Sequence, residues 1–308
     1  MQYAPIILFA YNRPLHTQRV LDALAGNKEA KDSTLYIYCD GAKATCNLEV
    51  QESIRKTRII AKNEKRFKEL IIKEQTNNKG LAKSIIDGVS EVIIKHGKAI
   101  IVEDDILVSE YFLKFMNDSL TVYNDSDNVA CINSYVYPVK NKLPDTFFIK
   151  GADCWGWATW QRAWNVFEPD GKKLLNEIES KKLKKEFDFE GSYPYFNMLK
   201  GQVEGRNNSW AIRWYASAFL RNMYCLYPGI SMAENIGIDG SGENSGSSNE
   251  MNVRLSDRSI EVHLITVSES EQAKQSFIKY FWSLTFYHPT LLTRIKKGAK
   301  MFLRKIKQ

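Results

Sequence analysis

Four short apolar segments alternate with helix-like segments over the first 105 residues, and this alternation restricts the fold more than any other feature. The apolar segments are PIILFAY (5–11), TLYIYCD (34–40), ELIIKE (69–74) and KAIIVED (98–104). The segments between them, which have the apolar spacing of amphipathic helices, lie near 15–26, 49–66 and 80–95. Strands that alternate with helices form a parallel sheet covered by helices on both faces. The sequence therefore predicts an α/β fold with a mostly parallel sheet.

Polar residues follow each of the four predicted strands. They are Tyr11, Asn12 and Arg13, then Asp40 and Gly41, then Asn77 and Asn78, and finally Glu103, Asp104 and Asp105. Ligands of open parallel sheets bind beyond the carboxyl ends of the strands. We therefore expect these residues to meet at one edge of the sheet and to form a ligand site there.

Glu103, Asp104 and Asp105 form an acidic triplet between two apolar segments. Adjacent carboxylates in such surroundings need a cation or hydrogen-bond donors to neutralise them. Mg²⁺ and Mn²⁺ bind through one or two carboxylates together with substrate phosphates, so the triplet predicts a metal that neutralises a diphosphate. The alternative is helix capping, in which Asp105 would cap a helix over ILVSEYFLKF.

Other motifs and the cysteines exclude several classes of protein. Neither a GxxxxGK[ST] nor a GxGxxG motif follows the first predicted strand, which argues against a P-loop kinase and a dinucleotide dehydrogenase. The five cysteines are scattered without CxxC spacing, and Cys39 and Cys131 lie in predicted core strands. They are predicted to be reduced structural thiols. No apolar run reaches the roughly 18 residues of a membrane span, and the N-terminus does not resemble a signal peptide, so we expect a cytoplasmic protein.

The net charge of +7 comes entirely from the C-terminal segment 290–308, which has seven lysines and arginines and no acid. Its apolar residues fall on one side of a helical wheel and its cations on the other, which predicts a basic amphipathic helix. Such a helix suits an anionic membrane surface, and the protein would then be peripheral at the inner face of the membrane. The alternative is a terminal helix packed on the body with a solvated basic face. Nucleic acid is not expected as a partner, because the remaining chain is formally neutral.

Four motifs in order, ILFAYNRP, YIYCDG, NNKGLAKSIIDGV and IIVEDDI, resemble the nucleotide-sugar-binding half of GT-A-fold glycosyltransferases, with EDD in place of the DxD motif. Together with GWATW and NIGIDGSG, the EDD form is most similar to the N-acetylglucosaminyltransferase I type and its bacterial relatives that build surface polysaccharides. The resemblance spans roughly residues 4–250. It implies a Rossmann-like GT-A fold with a nucleotide-sugar-binding half (1–108), a Trp-rich acceptor-binding half with a lid loop (109–250), and a C-terminal region with the basic helix (251–308).

The resemblance also implies roles for the residues at the predicted sheet edge. Asp105 would bind Mn²⁺ or Mg²⁺, Asp104 would contact the ribose and Glu103 the donor sugar. Asp40 would contact the uracil edge. The other residues that the resemblance places around the base and phosphates of a UDP-sugar are Tyr11, Asn12, Arg13, Asn78 and Lys83.

Tryptophans are concentrated in DCWGWATWQRAW (153–164) and in SWAIRW (209–214). Aromatic rings stack on the apolar faces of sugars but also build ordinary cores. We expect acceptor contacts from Trp155, Trp157 and Trp210. The alternative for Trp157 is a buried helix face, since it lies three residues before Trp160, which lies four before Trp164.

An inverting transferase needs a carboxylate that takes the proton of the acceptor hydroxyl. In the N-acetylglucosaminyltransferase I pattern this acid follows a tryptophan in a WDDW-like segment, whereas this chain has Ala211 after Trp210. Asp153 and Glu204 are the predicted replacements. The Gly/Ser/Asn-rich composition of segment 234–250 predicts a mobile loop. The resemblance implies that this loop is a lid over the nucleotide, and the alternative is a disordered linker to the C-terminal region.

The function expected from these features is transfer of a sugar from a UDP-sugar, possibly a UDP-N-acetylhexosamine, to a glycan or lipid-linked saccharide acceptor. The reaction would be inverting and metal-dependent and would serve cell-surface polysaccharide synthesis. A noncatalytic carbohydrate-binding protein would leave the acidic triplet without a role. A sugar-nucleotide nucleotidyltransferase would be expected to have a Gly-rich loop after the first strand, and FAYNRPLHT has no glycine.

Overall fold

A computed structural model of the protein describes residues 3–238 and 249–284. The strands in these ranges are β1 (Ile6–Ala10), β2 (Thr34–Cys39), β3 (Glu69–Glu74), β4 (Lys98–Glu103), β5 (Ile106–Val108), β6 (Val129–Asn133), β7 (Thr146–Lys150), β8 (Trp157–Trp160), β9 (Tyr224–Pro228) and β10 (Ala233–Asn235). The helices are α1 (Pro14–Ala25), α2 (Leu48–Asn63), α3 (Leu81–His96), α4 (Phe112–Val122), α5 (Gln161–Trp164), α6 (Gly171–Ser180), α7 (Lys184–Phe187), α8 (Tyr195–Val203), α9 (Trp210–Leu220) and α10 (Glu271–Ser283), with a 3₁₀ turn at Ala30–Asp32.

Eight strands form one sheet in the order β3-β2-β1-β4-β8-β6-β9-β7. Strands β1 to β4 are parallel to one another, and β6 is parallel to β9, whereas β8 runs antiparallel to β4 and β6, and β7 runs antiparallel to β9. The carboxyl ends of β1 to β4, β6 and β9 therefore lie at the same edge of the sheet as the amino ends of β7 and β8. We call this edge the site edge. The predicted α/β fold with a mostly parallel sheet is confirmed.

The first four strands coincide with the four apolar segments identified in the sequence. Strands β1 and β2 are buried almost throughout, and so are the four residues Ala99 to Val102 of β4, because strands inside a parallel sheet are covered on both faces. The edge strand β3 is only partly buried, which agrees with the charged residues in its sequence. The helices predicted near 15–26, 49–66 and 80–95 are confirmed as α1, α2 and α3.

The tryptophan-rich segment contains a strand where its spacing allowed a helix. Trp157 and Trp160 belong to β8, which is inserted between β4 and β6 with Trp157 opposite Ile101 and Ala158 opposite Ile132. Only Trp164 lies in a helix, the short α5. The helix alternative is therefore wrong for Trp157 and Trp160. Both neighbours of β8 are core strands, so all four of its residues are buried and no alternation of polar and apolar residues marks it as a strand.

Four tryptophans form a cluster in the core between β8, α5 and α9. The ring of Trp157 stacks on Trp210 with centroids 5.4 Å apart, and Trp164 and Trp214 complete the group at 5.2–6.0 Å. Trp157 is fully buried and Trp210 is 3% exposed. The predicted acceptor contacts of Trp157 and Trp210 are therefore wrong, because the ring surface that a sugar would need is covered by other indoles.

A two-stranded antiparallel ribbon, β5 and β10, follows the acidic triplet. Its register places Asn235 opposite Ile106 and Ala233 opposite Val108. The predicted helix cap at Asp105 is wrong, because β5 follows this residue directly and α4 begins only at Phe112. The ribbon brings the segment after β10 back to the site edge.

The cysteines Cys39 and Cys131 are buried in β2 and β6, as predicted. In residues 3–238 and 249–284, no helix is both long enough and apolar enough to cross a bilayer. The predicted basic helix at 290–308 lies outside the described residues, and so does most of the predicted lid loop, from 239 to 248.

Candidate active site

The acidic triplet lies at the site edge, where it meets the end of β1. Asp104 accepts a hydrogen bond through Oδ2 from the backbone N–H of Tyr11 at 3.2 Å. Arg13 donates from Nη1 to Oδ2 of Asp105 at 2.8 Å, and the same nitrogen lies 3.9 Å from Oδ1 of Asp104. The structure therefore brings together the residues that the sequence placed after β1 and β4.

Burial dominates the electrostatics of the triplet. It raises the pKa of Glu103 well above the ordinary glutamate value, and the charges of Asp105 and Asp104 raise this pKa further while Arg13 opposes them. Burial, with the charge of Asp105, raises the pKa of Asp104 to about 7. The Glu103 carboxylate has no hydrogen bond or ion pair to any residue in the described ranges. Arg13 is therefore too little to keep all three carboxyl groups ionised, and a bound cation would favour their charged forms.

The segment after β10 contacts Asp105 directly. The N–H of Ile236 donates to the backbone oxygen of Asp105 at 2.8 Å. A Cβ atom on Gly237 would lie 2.3 Å from Oδ2 of Asp105 and 2.9 Å from Nη1 of Arg13. Only glycine leaves room for the ion pair of Arg13 with Asp105. Sequence reasoning assigned Gly237 to segment 234–250 but did not predict the contact.

The residues at this edge fit a divalent cation held by few protein ligands. No three acidic, histidine or cysteine groups converge on one point within the described part of the chain. Asp105, with Glu103 beside it, offers the hard oxygen donors that Mg²⁺ and Mn²⁺ prefer, and such ions complete their coordination with water and phosphate oxygens. Arg13 donates a hydrogen bond to Oδ2 of Asp105, so a metal could bind that oxygen only after the guanidinium releases it.

Asp40 organises the neighbouring part of the site edge. Its Oδ1 accepts from the backbone N–H groups of Gly41 and Lys79, both at 2.8 Å. Its Oδ2 accepts from Nδ2 of Asn78 at 3.0 Å and from the N–H of Gly80 at 2.9 Å. A carboxylate has about four acceptor positions, so all of those of Asp40 are engaged. The uracil contact of Asp40 stays a prediction, and the structure places this side chain as the anchor of loop 77–80.

The other predicted donor-binding residues lie around this loop. Asn78 also donates from Nδ2 to the backbone oxygen of Gly41 at 3.0 Å. Lys83 lies in the first turn of α3, where it is 63% exposed and pairs with Asp87 at 3.1 Å. Asn12 is half-buried just after β1. Their contacts with a nucleotide stay predictions.

Asp153 lies at the site edge just before β8. Its Oδ2 accepts from the hydroxyl of Tyr227 at 2.9 Å and lies 3.5 Å from that of Tyr137, while its Oδ1 accepts from the N–H of Cys154 at 2.7 Å. Burial raises the pKa of this carboxyl despite these three donors. Burial raises the pKa of the neighbouring Cys154 thiol, and the charges of Asp153 and Glu103 raise it further.

A group of tyrosines around Asp153 was not predicted. Tyr137 follows β6, Tyr227 lies in β9, and the hydroxyl of Tyr195 in α8 is 3.5 Å from that of Tyr137. Burial raises the pKa of all three, and the charge of Asp153 adds to it. The segments NSYVYP and YCLYPG, each with tyrosines at the end of an apolar run, are the signal that could have identified Tyr137 and Tyr227.

Glu204 and Trp155, the other predicted residues of the acceptor half, have different surroundings. Glu204 ends α8 on the surface, where a hydrogen bond from Arg206 lowers its pKa. Its charge is thus already paired in solvent. Trp155 is half-buried, and its ring meets that of Tyr135 edge-on with centroids 4.6 Å apart. Trp155 precedes β8 at the site edge and is partly exposed there, unlike the buried Trp157 and Trp210.

No protein-family model matches the chain, and no curated protein sequence matches it. Among solved structures, a mannosyltransferase from Pyrobaculum calidifontis in complex with GDP-Man and Mn²⁺ is 16% identical, with a TM-score of 0.32 over 44% of this chain and 36% of that one. The chain thus spans little more than a third of that protein. The galactosyltransferase LgtC, in complex with donor and acceptor sugar analogues, is 12% identical, with a TM-score of 0.34 over 72% of this chain and 86% of that one.

A UDP-glucose pyrophosphorylase in its apo form is similar to the same degree. It is 13% identical, with a TM-score of 0.35 over 76% of this chain and 93% of that one. The TM-scores of all three structures are below 0.5, so these similarities assign neither a family nor an activity.

Proposed function

We propose that the protein transfers a sugar from a nucleoside diphosphate donor to a saccharide acceptor. The observation that carries this proposal is the presence, at one edge of the sheet, of an acidic triplet, an arginine and a half-buried carboxyl group in the loop before β8. The triplet can hold a metal ion, Arg13 can bind the diphosphate, and Asp153 can take a proton from the acceptor. A noncatalytic sugar-binding protein needs none of these three groups.

The donor diphosphate would bind where Arg13 meets Asp105. Asp105 would hold Mn²⁺ or Mg²⁺, which when bound neutralises the diphosphate leaving group. Arg13 would then turn from Asp105 to a phosphate oxygen, because its guanidinium presents a fork of donors that matches phosphate. Glu103 would accept hydrogen bonds from the donor sugar. Loop 77–80, anchored by Asp40, would border the base, which we take as uracil from the resemblance alone.

Asp153 is the proposed general base. It would take the proton from an acceptor hydroxyl as that oxygen forms its bond to the anomeric carbon, while the bond from the anomeric carbon to the diphosphate breaks and the nucleoside diphosphate leaves. Attack from the face opposite the leaving group inverts the anomeric centre. The raised pKa of Asp153 favours this role, because a base is most effective when its pKa approaches the working pH. The lowered pKa of the exposed Glu204 disfavours it as the base.

A donor screen with matched variants tests the proposal. Wild-type protein is incubated with a panel of nucleotide sugars and Mn²⁺, and the released nucleoside diphosphate is measured with and without saccharide acceptors. We expect turnover with a UDP-sugar, and UDP binding that needs both Mn²⁺ and Asp105. Absence of donor turnover, together with UDP binding that survives Asp105→Ala unchanged, would overturn the proposal. Formation of pyrophosphate from UTP and a sugar phosphate would assign the protein to the nucleotidyltransferases instead.

The role of Asp153 has its own control. We expect Asp153→Asn to lower the transfer rate by about a hundredfold to ten-thousandfold, the range for loss of a general base, while UDP affinity stays the same. Glu204→Gln removes a comparable carboxylate from the surface and should leave the rate unchanged. Wild-type transfer by Asp153→Asn would exclude it as the base.

We also propose a cytoplasmic protein that binds the inner face of a membrane through segment 290–308, where surface polysaccharide precursors on lipid carriers would be its acceptors. The support is the sequence of this segment, which has seven cations and no acids, and whose cations fall opposite the apolar residues on a helical wheel. Deletion of 290–308 should abolish cosedimentation with vesicles that contain anionic lipid. Vesicles of neutral lipid are the control. Unchanged cosedimentation after the deletion would refute membrane binding by this segment.

A further inference from the structure

A cavity of about 320 Å³ lies beyond the ends of β6 and β9. Three separate parts of the chain line it, namely 136–145 after β6, 229–231 after β9 and 252–258 between β10 and α10. Its volume is within the range of small-molecule sites in proteins. None of the proposed donor-binding residues lines it. It is therefore a space distinct from the proposed diphosphate site.

The cavity is lined by three cationic side chains and one acidic one. The cations are Lys142, Arg254 and Arg258, and the acid is Asp145. Arg258 lies 3.6 Å from Asp145. Arg254 pairs at 2.7 Å with Asp257, which does not line the cavity. The lining therefore has a surplus of positive charge.

Both arginines are free to exchange partners. Arg254 is 87% exposed and Arg258 58% exposed, and ion pairs in such positions contribute little stability. Lys142 forms no ion pair with any residue in the described ranges. An anion that enters the cavity can therefore be bound by these groups without breaking a strong interaction. Apolar side chains on the same wall, such as Val136, Val139 and Ile230, offer surface for the apolar face of a sugar ring.

Tyrosines connect the cavity to the site edge. Tyr137 lines the cavity, and its hydroxyl is 3.5 Å from Oδ2 of Asp153. The hydroxyl of Tyr135 donates to the backbone oxygen of Met251 at 2.8 Å, next to the cavity wall, and its ring contacts Trp155. A ligand in the cavity would therefore lie one tyrosine away from the proposed base.

We infer that the cavity binds the anionic group of an acidic saccharide acceptor, a carboxylate or a phosphate on a sugar, and directs one of its hydroxyls to Asp153. This inference rests on the proposed function, because it assigns the acceptor class of the same site. Lys142, Arg254 and Arg258 recognise the anion, and the ring contacts Tyr137 and the apolar wall. A neutral saccharide of the same size lacks the ionic contacts and binds more weakly.

Direct binding to the full chain tests this inference without a donor. The probes are a glucuronate-containing disaccharide, the corresponding neutral glucose disaccharide, a hexose phosphate and inorganic phosphate, measured by calorimetry at low and high salt. We expect an acidic saccharide, as carboxylate or phosphate, to bind at least about tenfold more tightly than the neutral one at low salt, and this preference to shrink at high salt. Comparison of the uronate with the hexose phosphate identifies the anion.

Charge-neutralising variants locate the binding. Arg254→Gln and Arg258→Gln should each weaken binding of the acidic saccharide about fivefold, the upper range for an exposed charge contact. Lys142→Gln should do the same, whereas Lys140→Gln, an exposed lysine of the same loop that does not line the cavity, should have no effect. Circular dichroism checks that all four variants are folded. Equal effects of Lys140→Gln and Lys142→Gln would show a diffuse charge effect and overturn the inference.

The outcomes separate this inference from the proposed function. Equal affinity for acidic and neutral disaccharides, or tight binding of inorganic phosphate with no gain from a sugar, overturns the acidic-acceptor inference even if UDP-sugar turnover is found. If the acidic saccharide binds as expected but no nucleotide sugar is turned over, the cavity stands as an acidic saccharide site and the transferase proposal fails. In a working transferase, Lys142→Gln, Arg254→Gln and Arg258→Gln should raise the KM of the acidic acceptor, and Lys140→Gln should not.

Discussion

Replacement of Asp40 by asparagine tests whether this carboxylate anchors loop 77–80. The native carboxylate accepts four hydrogen bonds, two on each oxygen. An asparagine keeps one oxygen and presents an amide NH₂ group at the other position, where it faces two donors. A hydrogen bond to a charged group contributes about 1.5–3 kcal/mol, so the loss of two, partly relieved by rotation of Asn78, should destabilise the protein by about 3 kcal/mol.

Urea unfolding at pH 7, followed by far-ultraviolet circular dichroism, measures this change in the free energy of unfolding. Asp87→Asn is the matched control, because Asp87 is exposed and pairs only with lysine side chains, so its replacement should change stability by less than about 0.5 kcal/mol. A loss below about 1 kcal/mol for Asp40→Asn would refute the anchoring role. If UDP affinity then fell while stability did not, Asp40 would act in base recognition instead.

Three further predictions concern the close approach at Gly41, the packing of the tryptophan cluster and the pH dependence of stability. Gly41→Ala should lower stability by about 2 kcal/mol in urea unfolding, because its Cβ would lie 2.4 Å from the carbonyl carbon of Asn77, and an unchanged midpoint would contradict this close approach. Trp157→Phe should lower stability by about 2 kcal/mol but leave the acceptor KM unchanged, whereas a raised KM with intact stability would restore its predicted sugar contact. Burial, with the charge of Lys95, lowers the pKa of His96 below its ordinary value of 6.5. The folded state therefore binds fewer protons than the unfolded state in this pH range. Stability that is present above pH 6.5 is lost as the pH falls through the folded-state pKa of His96. Unfolding free energies measured from pH 8 to 5 should therefore fall less steeply in His96→Gln than in the wild type, and identical slopes would contradict the shift.

The sequence predicted the first half of the sheet closely because its strands and helices alternate locally. Each apolar run there ends in polar residues, so the gathering of Arg13 and Asp105 at one edge of the sheet followed from the parallel arrangement, whereas their ion pair was not predicted. The surroundings of Asp153 could not be predicted in this way. Its partners Tyr137 and Tyr227 come from strands that are distant in sequence and are brought together only by the order of β6, β8 and β9.

The tryptophans show a second limit of sequence reasoning. Strand β8 is buried on both faces, so its residues lack the alternation that distinguishes a strand from a helix. The same burial separates Trp157 and Trp210, which are core residues, from Trp155, which lies at the site edge. Only the depth of each ring in the fold distinguishes these roles, and residue type and spacing do not report depth.

The insertion of β8 between β4 and β6 has a consequence for synthesis of the chain. Because proteins are made from the N-terminus and their N-terminal units fold first, β1 to β4 can associate while later strands are still on the ribosome. During that interval one edge of β4, with the sequence KAIIVE, has no partner strand, and an unpaired apolar edge is a template for aggregation. We expect stalled nascent chains that end before residue 157 to bind chaperones more strongly than chains that have exposed β8 from the ribosome. Completion of this one strand converts the most aggregation-prone edge of the growing chain into the middle of its sheet.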